Sequence, residues 1–331
     1  MRSETWLCAA ALTLILATPA FAQTASPRLL PSAAAAYGEY QSEVSTIQST
    51  PLKSSNELDK ALNTFGAQNP DQLSSGWIAY SAMVAAQDKD FAAAVRDIDG
   101  YYGRERVMTG MRNDVGYART LKGGEKALQN ALAVNSKDAG RISSAAAFVK
   151  DQAYKLQDVT WGKSRLKDAG GVAGKLKVNA KTVKPVTDAA QKLFAGPDLN
   201  VVLASAQGQG ADTSVWDEIS VFTASAPAAA LNTLVPGGVG SSSALKVEPK
   251  RESTANRIVT LAAFHVLEAD ATNKDDVKAA MKDKPTFDCI DWSQLQLQAC
   301  VSAAYTRADL SFCLAEHAIG DAGACFSNVA K

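Results

Sequence analysis

Four cysteines, Cys289, Cys300, Cys313 and Cys325, crowd into the last 43 residues of this 331-residue chain. Such residues form disulfides in an oxidising compartment or hold zinc in a reducing one. His317 stands one helical turn after Cys313 and could join a zinc site. Zinc sites favour cysteines two to four residues apart, however, and every gap here exceeds ten. Disulfides are therefore expected, and no metal. Four cysteines allow three pairings, and a helical hairpin selects one of them. Thr286 or Asp288 can cap a first arm running to about Tyr305. Thr306 can cap a second, with Asp309 three residues on, and Gly320 can end it. Spacing about that turn is nearly symmetric, so Cys300 pairs with Cys313 and Cys289 with Cys325. Cys289 and Cys300 lie eleven residues apart, about three helical turns, and so face the same partner arm.

Catalytic chemistry finds less support. The chain has two histidines. His265 follows Ile258 by seven residues and Leu261 by four, on the apolar stripe of a helix, where a hydrogen-bonded core histidine is expected. His317 lies beside the disulfides and reads as structural too. His-Glu-x-x-His and Gly-x-Ser-x-Gly are both absent from the sequence. Ser-x-x-Lys occurs at Ser164 to Lys167 and Ser243 to Lys246, without the companion motifs of serine acyl-enzymes. The run "GGVAGK" at 170–175 has part of a phosphate loop, but its glycine spacing is one short and Leu176 stands where Ser or Thr would bind magnesium. No cofactor is expected. The stretch 96–114 gathers Asp97, Asp99, Tyr101, Tyr102, Arg104 and Arg106. Paired carboxylates beside tyrosines could serve sugar chemistry, which makes Asp97 and Asp99 the catalytic candidates. An exposed helix end explains the same residues without catalysis.

The N-terminus reads as an export signal. Arg2 precedes an apolar run from Trp6 to Leu16, Pro19 breaks it, and Ala20-Phe21-Ala22 matches a signal-peptidase site. The run is too short to span about 30 Å of hydrocarbon, and Cys8 lies within it. Cleavage after Ala22 is expected to release a periplasmic or extracellular protein without a transmembrane segment. The tail "ACVSAAYTRADLSFCLAEHAIGDAGACF" resembles the four-cysteine tails of uncharacterised exported proteins of Gram-negative bacteria. That resemblance covers about 40 residues. It implies a structural tail and carries no activity.

Stepwise apolar spacing predicts a mostly α-helical bundle or array that ends in the disulfide-linked hairpin. A leader rich in Ala, Ser and Pro (23–36) reads as flexible. An N-terminal helical domain follows over 37–160, an irregular basic or linker region over 161–250, and a C-terminal helical region over 251–331. Helices are expected over 39–49, from Ser55, from Asp71, from Asp88, and over 104–120, 124–135, 138–157 and 186–195. Two more should run from Ser253 or Thr254 to about 271 and over 274–283. Short strands are possible within 172–250, where Leu176, Val178 and Ala180 alternate with polar residues. Residues 198–206 and 214–224 suit either element, and "GGVGSSS" (237–243) reads as a linker.

Formal net charge is zero, which argues against nucleic acid. The distribution is uneven. Residues 23–111 carry 7 basic and 10 acidic groups, 112–186 carry 15 and 6, and 187–331 carry 11 and 17. A middle of +9 could present Lys122, Lys126, Arg141, Lys150, Lys163 and Lys167 to an anionic polymer or lipid surface. It could equally neutralise its own acidic flanks on folding. The expected function is non-enzymatic binding of another cell-envelope component, either an envelope protein or an anionic polymer or lipid surface. An exported hydrolase using dispersed carboxylates is the rival.

Overall fold

The computed structural model describes residues 28–196, 199, 203, 216 and 245–330. The signal-like stretch, the 237–243 run, and all of 198–206 and 214–224 except Leu199, Leu203 and Trp216 lie outside them. Among the described residues the fold is all α. Two isolated bridges, Arg165 with Thr306 and Val247 with Ala330, are its extended pairings.

Helix α1 (Leu29–Ser49) begins inside the segment read as a flexible leader. Pro31 sits in its first turn, where a backbone N–H has no intrahelical partner to lose. Leu30, Ala34 and Ala35 are fully buried, so this part of the leader contributes to the core. Arg28 fastens the entry: its Nη2 and Nε donate to Asp270 at 2.7 and 2.9 Å, and its Nη2 also donates to the His265 carbonyl at 2.9 Å.

Caps explain most of the next boundaries. Ser54 and Glu57 form a capping box ahead of α2 (Ser55–Gly66). Replacing Ser54 by Ala is expected to lower stability by about 1 kcal/mol in urea denaturation. Asn69, rather than Asp71, caps α3 (Pro70–Ala85), with Pro70 pre-set at the first position. Asp88 caps α4 (Lys89–Tyr102) as expected. The expected helix over 104–120 is broken into α5 (Arg104–Asn113) and α6 (Tyr117–Thr120). Helices expected over 124–135 and 138–157 are one, the 33-residue α7 (Gly124–Leu156). Asn135 and Asp138 look like stop and start residues. They are instead turned inward, Asn135 to exchange hydrogen bonds with Ser81 on α3.

Helix α3 is buried nearly all round, the mark of a central helix. It packs most heavily on α1, then on α10 (Glu252–Val266) and α7. At Gly76 a Cβ would come within 2.9 Å of the Ala33 carbonyl, so glycine lets α1 and α3 approach closely. Helix α8 (Ala169–Asn179) corrects the expected strand at Leu176, Val178 and Ala180. Asp168 caps it, and Ala173 and Leu176, one turn apart, are buried where it packs on the C-terminal arm. Three alternating residues also fit a helix, and that neighbour decides the matter. Helices α9 (Asp188–Ala195), α11 (Ala269–Thr272) and α12 (Lys274–Met281) complete the outer shell.

Cysteine pairing is as expected. Cys289–Cys325 and Cys300–Cys313 both bridge, each with Cα atoms 5.6 Å apart. The first arm, α13 (Lys284–Ala303), is capped by Asp283 rather than Thr286 or Asp288. The second, α14 (Arg307–Cys313), has the Thr306–Asp309 capping box. Gly320 does not end it. The chain widens into a π-helical stretch over Leu314–Asp321 and continues as α15 (Ala322–Ser327). Ile319 and Ala322 are buried on either side of Gly320, and that apolar burial carries the helix through a residue that often stops one.

Candidate functional site

The residues singled out for chemistry are dispersed by the fold. Asp97 is exposed, and Asp99 receives two hydrogen bonds from Arg104 at 2.9 and 2.8 Å. Two positions apart on a helix, they point to different sides. Arg104 holds the Asp99 carboxyl below the usual carboxylate range by hydrogen bonding. Asp99 does edge an open cleft of about 420 Å³, with Arg96, Arg104, Glu268 and Thr272. His265 Nδ1 lies 3.2 Å from Arg28 Nη2 and 3.5 Å from Asp270. Burial opposes ionisation of Asp270, but hydrogen bonds from His265 and Arg28 outweigh it and hold that carboxyl low. His317 Nδ1 is 2.8 Å from Asp321, and its carbonyl accepts from Ser293. Both histidines thus hold structure together. Among the described residues no group of three or more His, Cys, Asp or Glu is placed to hold a metal ion, and no helix is long and apolar enough to cross a membrane.

Of the six basic candidates, three are engaged with other residues. Lys126 pairs with Asp88 and Asp90 at 3.3 and 3.6 Å, Lys150 with Glu316 at 2.8 Å, and Arg141 donates to Gln41 and Ser45. Lys122 and Lys163 are exposed. Lys167 joins three cations that the sequence did not single out. Arg165, Lys167, Lys175 and Arg307 line a groove of about 690 Å³ between α2, the 164–168 loop, α8 and α14.

Backbone pairing builds that groove. Leu166 N donates to the Tyr305 carbonyl at 3.0 Å, Arg307 N to Ser164 at 3.3 Å, and Ala308 N to Gly162 at 3.0 Å. The loop after α7 is thereby sewn to the start of α14. Gly162 is needed for its course, since a Cβ there would meet the Leu156 carbonyl at 2.0 Å. Leu62, Leu166, Val172 and Leu310 supply apolar lining. Arg165 lies 4.4 Å over the Tyr305 ring, which fixes its guanidinium as a cation–π partner. The groove's two carboxylates are already committed. Asp59 accepts from Arg307 Nη1 through both oxygens at 3.1 Å, and Asp168 caps α8 through Gly171 N at 2.7 Å. Arg165, Lys167 and Lys175 are exposed and have no carboxylate partner among the described residues. The arrangement is suited to hold an anion with an apolar portion; Ser164, which also lines it, donates its hydroxyl to the Trp161 carbonyl at 2.6 Å.

A second polar cluster lies in the core. Asp138 on α7 is 1% exposed. Tyr37 on α1, Tyr80 on α3, Arg141 on α7 and Trp216 lie about it, and Gln41 on α1 links Tyr37 to Arg141. Burial pushes its carboxyl up to about 7, and the nearby Trp216 indole, Arg141 guanidinium and Tyr80 and Tyr37 hydroxyls oppose this in part. Burial also raises the Tyr37, Tyr40 and Tyr80 hydroxyls well above their ordinary range.

No family model, curated protein or solved structure matches this chain.

Proposed function

We propose that this chain is an exported, non-enzymatic binding protein whose ligand is an anionic segment of another cell-envelope component, held in the groove between α2, α8 and α14. The observation that carries this reading is the set of uncompensated cations, Arg165, Lys167 and Lys175, on a concave surface with apolar lining. Two disulfides support export, because such bonds persist in oxidising compartments. The export-type N-terminus of the sequence supports it as well. Cations at the rim would draw in and orient the anion, while Leu62, Val172 and Leu310 would cover its apolar part.

A labelled sulfated oligosaccharide serves as a defined polyanion probe for fluorescence anisotropy. The double substitution Lys167→Glu with Lys175→Glu is expected to weaken binding at least tenfold, about 1.4 kcal/mol, and to flatten its salt dependence. Lys122→Glu, at an exposed lysine that does not line the groove, is the control. Equal effects from the double variant and the control would remove the groove from the account.

A further inference from the structure

We propose that Asp138 is a proton-binding site that locks α1, α3 and α7 together while occupied and loosens their junction when the proton leaves. This stands independently of the groove. The geometry is that of a buried carboxyl with one oxygen left without a hydrogen bond. Asp138 Oδ2 and Tyr80 Oη are both buried and have no hydrogen-bond partner among the described residues. Arg141, one turn along α7, directs its guanidinium to Gln41 Oε1 at 3.3 Å and to Ser45 Oγ. Gln41 Nε2 in turn donates to Tyr37 Oη at 2.7 Å. From α1 the facing groups are therefore Tyr37 and Gln41, from α3 Tyr80, and from α7 Arg141. The Trp216 ring closes over them, 5.1 Å from Tyr80 and 5.8 Å from Tyr37. From the C-terminal helices the neighbours are apolar: Gly323 lies against Ile142, and Phe326 meets Tyr37 edge to face.

A protonated carboxyl adds a donor where a carboxylate has only acceptors. A bare carboxylate in the same place is a desolvated charge among aromatic rings, which strains the junction. A pocket of about 320 Å³ between α1 and α9 is lined by Ser42, Ser45, Phe194 and Trp216. Trp216 belongs both to this lining and to the Asp138 cluster, and Ser45 accepts from Arg141 of that cluster.

The folded carboxyl holds its proton more tightly than an unfolded aspartate, about 7 against 3.8. Its contribution to stability is thus fully present below about pH 4, falls as pH climbs toward 7, and is level beyond. Asp99, Glu125 and Asp270, whose carboxyls are held low, act in the opposite sense at the acid end of the scale.

Two measurements on the full mature chain test this. In the first, unfolding is followed by urea between pH 4 and 8 for wild type and Asp138→Asn. The wild-type folding equilibrium constant should drop about five-hundredfold relative to the variant across that range. In the second, the Asp138 side-chain carbon resonance is titrated in the wild type, with an expected midpoint about 7. Parallel pH profiles, or a carbon midpoint in the ordinary carboxylate range, would overturn the proposal. The carbon titration decides alone if Asp138→Asn fails to fold.

Discussion

Reduction of the two disulfides is expected to lower the unfolding free energy by roughly 3 kcal/mol for Cys300–Cys313 and roughly 4 kcal/mol for Cys289–Cys325. The ranking follows from loop length, since the bridged residues are 13 and 36 positions apart. A longer closed loop removes more freedom from the unfolded chain. The inner loop lies wholly within the outer one, so part of its restriction is already imposed, and the double loss should fall short of the sum. Native-state packing works in the same direction. Cys313 and Cys325 are each 1% exposed within the core, and a thiol pair there would separate α13 from the 307–327 stretch, which packs on α7. Urea denaturation of wild type, Cys300→Ser with Cys313→Ser, and Cys289→Ser with Cys325→Ser gives the three values, and peptide mapping gives the pairing. An unchanged midpoint on reduction, or a crossed pairing in the map, would contradict the arrangement.

Phe326→Ala is expected to lower stability by about 3–5 kcal/mol, the range for removing a buried aromatic. Phe326 is 1% exposed. Its ring stacks on Trp77 at 5.7 Å and meets the edges or faces of Tyr37 at 5.3 Å and Tyr40 at 6.1 Å. One residue before it, Cys325 is tied to Cys289 on α13. The last helix therefore inserts a plug into the pair formed by α1 and α3, and the disulfide holds that plug in register. A cavity among Trp77, Tyr37 and Tyr40 has no short path to collapse, because α3 is held on nearly every side. Phe326→Leu, which keeps much of the volume, should lose less than half as much. Equal midpoints for Phe326→Ala and wild type would show that the tail is dispensable to the core.

Several local signals were legible because the deciding partner was also local, although Asn69 and Asp283, not Asp71 and Thr286 or Asp288, cap their helices. Asp88 and Thr306 cap as their neighbours suggest. The cysteine pairs follow from spacing about a single turn, which a hairpin enforces whatever surrounds it. Of the groove, Lys167 was visible as part of the basic middle, and Arg165 and Lys175 stood in the same stretch. Arg307 was not, because it arrives from more than a hundred residues away when the 164–168 loop pairs with the start of α14.

Sequence alone determined that the chain is helical, where most of its helices lie, and how its cysteines pair. Those properties depend on periodicity, caps and spacing within a few turns. Tertiary structure decided the rest. It drew residues 29–36 into α1, made α8 a helix on the flank of α13, and fused two expected helices into α7. It also buried Asp138. Asp and Asn satisfy backbone groups at helix ends when solvent is near, and the same residues face partners on other helices when it is not. Which of the two applies depends on what packs against them, and that is a property of the assembled core.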